Sequence, residues 1–366
     1  MNEWKTVRLG DVATYINGYA FKPSDWGTTG LPIIRIQNLT GNDYETNFFN
    51  GEIHPKYTVK DGDVLISWSA SLGVYEWNKG KALLNQHIFK VVFDKIEVDK
   101  KYFIFTVSHL LNEMAKHTHG STMRHITKPD FDNMPFPLPS IKEQKKISEL
   151  LEKCTSIIAT NKQMLEKYDM LIKSRFIEMF GDPVQNPMGW EVKKLGDICT
   201  KISDGVHAKP EYTATGKPFI SVVNINSGKL LFDDCKYVSE EAYEKMIKST
   251  HPEKGDILYT KVGATYGIPA LVDTDRAFCL YVSVALLKPK SEIVNSQFLT
   301  TSMAQPYIKN QADKRIKGIG VPDLHLNQIR EFEVLVPPLE LQNQFNSFVQ
   351  QIDKSKFEYT YTGVAA

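Results

Sequence analysis

The chain of 366 residues is short of several things that define common protein classes. It has no apolar run long enough to span a bilayer, which argues against a membrane span. The amino terminus, MNEWKTVRLGD, has no apolar core of the signal-peptide kind, so a cytoplasmic protein is expected. Cysteine is scarce. Cys154, Cys199, Cys235 and Cys279 stand far apart with no CxxC pair, a pattern of reduced, buried thiols and not of a disulfide framework or zinc site. Neither sign of charge is in excess: the net charge is +1, residues 1–140 hold 15 basic and 15 acidic side chains, and residues 190–338 hold 19 and 18. The overall field therefore announces no polyanion, and a nucleic-acid surface has to be local or completed by another subunit.

Signatures of catalysis are missing as well. No Walker loop or GxGxxG marks a nucleotide cradle. An adenine methyltransferase needs an Asn/Asp-Pro-Pro-aromatic loop, and the nearest string, Asn186-Pro187-Met188, does not supply one. Pro129-Asp130 with Glu143-Gln144-Lys145 imitates a nuclease pattern but spans a Pro-rich turn into a helix, where Glu143 reads as a first-turn acidic residue. His117 and His119 form an isolated HxH, and His207 has no Cys or His near it to complete a metal site. No catalytic residue, metal or cofactor is assigned to the chain.

What the sequence has in abundance is itself, twice. WKTVRLGDV at 4–12 returns as WEVKKLGDI at 190–198, with Trp4 matching Trp190 and Gly10 matching Gly196. LPIIRIQNLTG at 31–41 is answered by KPFISVVNINSG at 217–228, and DGDVLISWSASLG at 61–73 by KGDILYTKVGATYG at 254–267. KPDFDNMPFPLPSIKEQ at 128–144 then pairs with VPDLHLNQIREFEVLVPPLELQ at 321–342. Matched blocks in one order, with a period too long for a solenoid, predict two homologous domains. Each block reads as a turn, a short buried strand and a polar loop. Trp4, Leu9, Trp190 and Leu195 are expected to pack, with Gly10 and Gly196 turning the chain into each domain.

Between the copies, residues 141–180 contain no Pro or Gly until Gly181-Asp182-Pro183, which predicts one helix about 60 Å long. Ile147, Leu150, Cys154, Ile157, Met164, Tyr168 and Leu171 form a three-four seam, with Asn161 as its polar member. Leu151, Ile158, Leu165, Ile172 and Met179 form a second stripe every seven residues. After the second domain LELQNQFNSFVQQI starts the same way, Gln342 matching Gln144, with Phe345 and Phe348 on the seam. The duplication predicts that the two helices lie antiparallel, related by a pseudo-two-fold. The closing EYTYTGVAA is not expected to be helical. The resulting boundaries are 1–140 and 182–338 for the domains, 141–181 for the central helix and 339–366 for the second, shortened helix.

The loops suit DNA. HTHGSTMRHITKPD at 117–130 and KNQADKRIKGIGVPD at 309–323 are basic loops at matched places, offering Arg124, His125 and Lys128 in one copy and Arg315 and Lys317 in the other. At the strand ends Arg35, Gln37 and Asn38 stand where Ser221, Asn224 and Asn226 stand, and Ser69 stands near Lys261 and Thr265. Such side chains pair with base edges and phosphates. A kept framework with changed polar tips is what two modules reading different short sequences would show.

On the W-x-x-x-x-L-G-D openings, DGVHAKPEY at 204–212, KGDILYTKVGATYG at 254–267 and the PLPSIKEQ and PPLELQ helix starts, the chain resembles the specificity subunit of Type I restriction-modification systems over nearly its whole length. That resemblance implies an α+β fold: two target recognition domains, each reading half of a split, asymmetric double-stranded DNA site, joined by long antiparallel coiled-coil helices. His207, Lys209 and Tyr266 then join the DNA-facing set. Leu151, Ile158, Leu165, Ile172, Phe345 and Phe348 become the dock for methyltransferase (modification) subunits, which would bring S-adenosylmethionine, while a motor-nuclease restriction subunit completes the complex. The chain itself would be non-catalytic. The alternatives are a shortened subunit that only binds methyltransferases, and a DNA-modifying enzyme in its own right. If the helices act as a ruler, inserting one heptad near Asn161 is expected to lengthen the spacer of the recognised site and leave both half-sites unchanged; methylome sequencing that finds the old spacer contradicts this.

Overall fold

The structure is a computed structural model that describes residues 4–41, 46–117, 126–316 and 320–362. Its contacts divide the chain into two compact units, residues 1–159 and 160–366. Among the described residues no helix is long and apolar enough to cross a membrane.

Unit 1 carries strands β1 (Thr6–Arg8), β2 (Thr14–Asn17), β3 (Leu31–Ile34), β4 (Phe48–Phe49), β5 (Thr58–Val59), β6 (Val64–Ser67), β7 (Gly73–Glu76), β8 (Ala82–Leu84), β9 (Ile88–Val92) and β10 (Pro135–Pro137). Helices α1 (Ile36–Leu39), α2 (Lys100–His117), α3 (Lys128–Asp132) and the start of α4 (Ile141–Phe180) complete it. The sheets run β2-β9-β6-β7 and β4-β3-β8-β5, the latter with β3 and β8 parallel, and β1 pairs with β10 as a separate ribbon. All four residues of β6 are buried, because alternate side chains enter different cores: Val64 and Ile66 join Tyr15, Phe89, Phe103, Phe131 and Phe136, while Leu65 joins Ile34, Trp77 and Leu84. A strand covered on both faces reads as a continuous apolar run, which is how VLIS appears in the sequence.

Unit 2 repeats the plan with β11 (Glu191–Lys194), α5 (Leu195–Ile198), β12 (Cys199–Asp204), β13 (Lys217–Ile220), β14 (Lys236–Val238), α6 (Glu240–Ile247), β15 (Ile257–Thr260), β16 (Pro269–Leu271), β17 (Cys279–Leu280) and β18 (Val284–Pro289). There follow α7 (Ser296–Met303), α8 (Pro306–Arg315), α9 (Leu326–Arg330), β19 (Glu333–Val336) and α10 (Leu339–Thr362). The sheet order β12-β18-β15-β16 and the ribbon β11-β19 match those of unit 1, while β14-β13-β17 keeps three of the four strands of β4-β3-β8-β5, the parallel pair included, without a counterpart of β5 among the described residues. Where unit 1 has the single helix α2, unit 2 has α7 and α8, because Pro306 lacks the amide that a continuing helix needs and begins a new one instead. The four cysteines are free thiols. Burial pushes the Cys199 and Cys279 thiols up to about 12, so both stay protonated and inert.

Each long helix is fixed to its unit by a buried glutamine in its first turn. Gln144 donates to the Pro139 carbonyl at 2.9 Å and accepts the Asp99 amide at 2.9 Å. Gln342, with no exposed surface, donates to Pro337 at 2.7 Å and to Ile293 at 3.2 Å, and accepts the Asn295 amide at 2.8 Å. Asp99 and Asn295 in turn cap α2 and α7. Burial raises the Asp99 carboxyl, but hydrogen bonds from the Ser148 hydroxyl and the Tyr102 amide outweigh it and hold the group below the usual carboxylate range.

Within unit 2, α4 and α10 run antiparallel. Phe345 packs on Phe176 and Phe180 near the end of α4, with centroids 5.6 Å apart in both cases, and Lys356 reaches back to Asp169 at 2.7 Å. The helix α4 stops where Gly181 takes a left-handed φ of +78° and Trp190 donates its indole N–H to the Phe180 carbonyl at 2.9 Å.

Three sequence expectations are corrected. Trp4 is 47% exposed and does not pack as Trp190 does. Cys154 is exposed on α4 and is not one of the buried thiols, unlike Cys199, Cys235 and Cys279. Gly10 and Gly196 do lie in the short LGD turns, and they let those turns press on α3 and α9, since a Cβ on Gly10 would lie 2.9 Å from the Asp132 Cβ and one on Gly196 3.4 Å from Arg330. Finally, α10 continues to Thr362 although Tyr and Thr are only mediocre helix formers, because neither Gly nor Pro interrupts residues 339–362; the last four residues of EYTYTGVAA lie outside the described residues.

Replacing Gln342 by Leu is expected to destabilise unit 2 by about 2–4 kcal/mol, since the Asn295 amide and the Pro337 carbonyl lose their partners inside the core. Replacing the exposed Gln344 by Leu should change stability by no more than about 0.5 kcal/mol. Thermal melts of the two variants check this.

Candidate nucleic-acid interface

The two units build the same corner at one end of the four-stranded sheet. The chain leaves β2 at Gly18 and β12 at Gly205, and passes so near the neighbouring backbone that a Cβ would sit 1.9 Å from the Asn85 carbonyl oxygen and 2.0 Å from that of Leu280. Only glycine permits that crossing. Beside it β6 is followed by Trp68 and β15 by Lys261. Trp68 donates its amide to the His87 carbonyl at 3.4 Å and accepts from Ile126 at 3.2 Å; Lys261 donates to Ser283 at 3.0 Å and accepts from Leu324 at 2.9 Å. The backbone is thus duplicated bond for bond while the side chains differ, with Asn17, Trp68 and His87 in unit 1 where unit 2 has Asp204, Lys261 and Ser283.

The unit 1 corner is aromatic. The Trp68 indole stacks on Phe89 with centroids 5.5 Å apart and lies 5.0 Å from the His87 ring. The His87 Nδ1 is buried without a hydrogen-bond partner. Lys128 lies over the Tyr15 and Phe89 rings at 5.3 and 5.7 Å and pairs with Asp132.

The unit 2 corner is charged. Lys261 is 5% exposed, with its ammonium 3.3 Å from Asp204 and 3.6 Å from Asp323. The exposed His207 stands 3.6 Å from the other oxygen of Asp204. The Ser283 hydroxyl and the Tyr259 hydroxyl are both buried without partners, and burial pushes the Tyr259 phenol up. Next to them the Tyr266 hydroxyl donates to Asp313 at 2.5 Å while Lys309 sits 3.6 Å above the Tyr266 ring. Hydrogen bonds from Lys309 and from Tyr266 hold the Asp313 carboxyl below its usual range.

The other DNA-facing candidates fall in different places. Asn38 and Asn224 are buried caps whose side-chain oxygens accept the amides of Arg35 at 2.9 Å and Ser221 at 3.0 Å, so they shape the loops and present nothing outward. Arg35 lies over Trp26 at 5.1 Å and Gln37 is half-buried on α1. Ser69 is buried, its carbonyl accepting from the Ser67 hydroxyl at 3.2 Å. Lys209 is exposed over Tyr212 at 5.8 Å, and Thr265 is exposed with its carbonyl bound to the Thr260 hydroxyl. The Arg315 guanidinium donates to the carbonyls of Gln311 and Glu331 at 2.9 and 3.1 Å and covers Phe332, which commits it to the fold. Arg124, His125 and Lys317 lie outside the described residues. Sequence reasoning passed over Trp68, His87, Asp204, Ser283 and Asp323. Superposing the repeats and asking which residue follows each buried strand points to Trp68 and Lys261, but Asp204 and Asp323 join Lys261 only through the fold.

The helical stripe divides too. Leu151 is 37% and Ile158 68% exposed, with Leu150 and Ile157 exposed beside them at 62% and 48%. Leu165 lines a groove with Val349 and Lys356, Ile172 and Phe348 pack on the core of unit 2, and Phe345 is fully buried. The last three serve the helix pair inside the unit, leaving Leu151 and Ile158 as the outward members.

Two α+β units on one plan, with a common corner and unlike polar tips, define a tandem pair of recognition modules carried on long helices. The chain belongs to the family described as Type I restriction modification DNA specificity domain, which matches residues 1–167 and again residues 187–362. It is 24% identical to the specificity subunit of the Type I restriction enzyme EcoBI of Escherichia coli, over 96% of this chain and 79% of that one. It is also 24% identical to the MjaVIII specificity subunit of Methanocaldococcus jannaschii, over 96% and 86%. In fold it is similar to the S subunit of a Type I restriction-modification system from M. genitalium, with a TM-score of 0.58 at 14% identity over 99% of this chain and 92% of the other. A chain from a structure concerned with complex assembly and conformational transition of the type I R-M system matches at 0.53, with 16% identity over 100% and 95%.

Proposed function

We propose that this chain is the DNA-specificity subunit of a Type I restriction-modification complex, in which each unit reads one half of a bipartite, asymmetric double-stranded site. The observation that carries this is the duplicated corner: one backbone frame, two different sets of side chains, as two readers of unlike half-sites require. Family membership over both halves supports it. The chain itself acts as a guide without catalytic residues of its own. Modification subunits, docked on the outward stripe of α4 around Leu151 and Ile158, supply S-adenosylmethionine and methylate adenine, and a restriction subunit joins them.

The balanced charge fits this division of labour. Most nucleic-acid affinity comes from neutralising phosphates, and a chain of net charge +1 has little uniform field to do so. Further phosphate contacts come from modification subunits closing on the duplex. The purified chain is therefore expected to bind DNA weakly and with strong salt dependence, and to transfer no methyl group when given S-adenosylmethionine. With its modification subunits it should methylate one defined site. Methyl transfer or tight sequence-specific binding by the chain alone contradicts the proposal.

A further inference from the structure

The ammonium of Lys261 is the buried charge that folding explains least. A buried ion pair is commonly replaceable by apolar side chains at no cost to stability, and unit 1 makes that replacement: Trp68 occupies the equivalent position, stacked on Phe89. The scaffold therefore does not need a lysine here. Nor do its partners satisfy it well, since 3.3 Å to Asp204 and 3.6 Å to Asp323 both exceed a well-formed hydrogen bond. Directly across, in the register continued from β15 and β18, Ser283 is 7% exposed and its hydroxyl has no partner. Donor capacity is thus held in reserve at the end of the sheet, with Asp323 half-open to solvent beside it.

A phosphate is a poor match for this corner, because two carboxylates flank the ammonium and would repel it. The major-groove edge of a G·C pair is a good one. Guanine presents N7 and O6, both acceptors, and cytosine presents an N4 amino donor. An ammonium donates to the first two and an adjacent carboxylate accepts from the third. We infer that Lys261, clamped between Asp204 and Asp323, is a specificity-determining residue that reads a G·C pair in the half-site of unit 2. The inference rests on the specificity-subunit reading above. Unit 1, with Trp68 and His87 at the same corner, reads a different edge.

The test assembles the full chain with Type I modification subunits, as wild type and with Lys261→Met or Asp323→Asn. Each complex is titrated with duplexes in which every base pair of the site is replaced in turn, at several salt concentrations. The wild type should lose affinity when one G·C pair in one half-site is replaced. Lys261→Met should bind the original and that replaced duplex alike, losing roughly tenfold discrimination at that pair alone, with an unchanged salt slope. Asp323→Asn, at a more exposed side chain, should lose discrimination at the same pair and decides the matter if the lysine variant fails to assemble. Full discrimination kept by both variants overturns the inference. So does a uniform loss on all duplexes with a salt slope smaller by about one, which marks a phosphate contact. A wild-type complex with no sequence preference at all would defeat the specificity reading itself.

Discussion

Each long helix begins with a buried carboxamide that answers several backbone groups at once, two for Gln144 and three for Gln342, and the rest of the architecture depends on that anchorage. Gln144 and Gln342 tie the Pro-rich turn before the helix to the N-cap of a helix in the preceding domain. A polar side chain with no exposed surface is tolerated only when its donors and acceptors are met, and once met it admits a single geometry. That specificity matters more than the net stabilisation of the bonds, which is about 1 kcal/mol each. The direction in which each helix leaves its domain is set by it, and with it the place of the seam residues. In unit 2 the consequence is visible: α10 leaves Gln342 on a course that buries Phe345 among Phe176, Phe180 and Phe298.

The corner at the sheet end shows how a recognition module varies without refolding. Its backbone bonds are made by amides and carbonyls that any residue supplies, and the crossing at Gly18 and Gly205 is held by glycine alone. Side chains at Asn17 or Asp204, Trp68 or Lys261, and His87 or Ser283 hang from that frame without holding it. Stacked rings suffice in one copy and an ion-pair clamp in the other. The cost is polar groups left unpaired, the His87 Nδ1 and the Ser283 hydroxyl among them, which a purely structural corner would not keep.

Much of the fold was legible because duplication doubles every signal. VLIS and ILYT are each short and ambiguous, yet recurrence in the same order identifies both as buried strands, and the absence of Gly and Pro between 141 and 180 delimits α4. The matched glutamines were visible as an alignment, although their bonds were not. What was not legible depends on long-range register. Nothing local says that Asp204 and Asp323 meet at Lys261, or that Asn38 and Asn224 turn inward to cap. Arg315 looked like a phosphate ligand because its neighbours are basic, and it is held by two carbonyls of the fold. Trp4 and Trp190 share a motif and not a role: only Trp190 has a helix end to close.

The central claim is that one chain carries two independent readers. Genome-wide mapping of methylated adenines in cells expressing the chain with modification subunits tests it most directly. The account predicts a single bipartite motif, two specified half-sites of different sequence separated by a fixed unspecified spacer. A contiguous motif, or methylation without sequence preference, would contradict it.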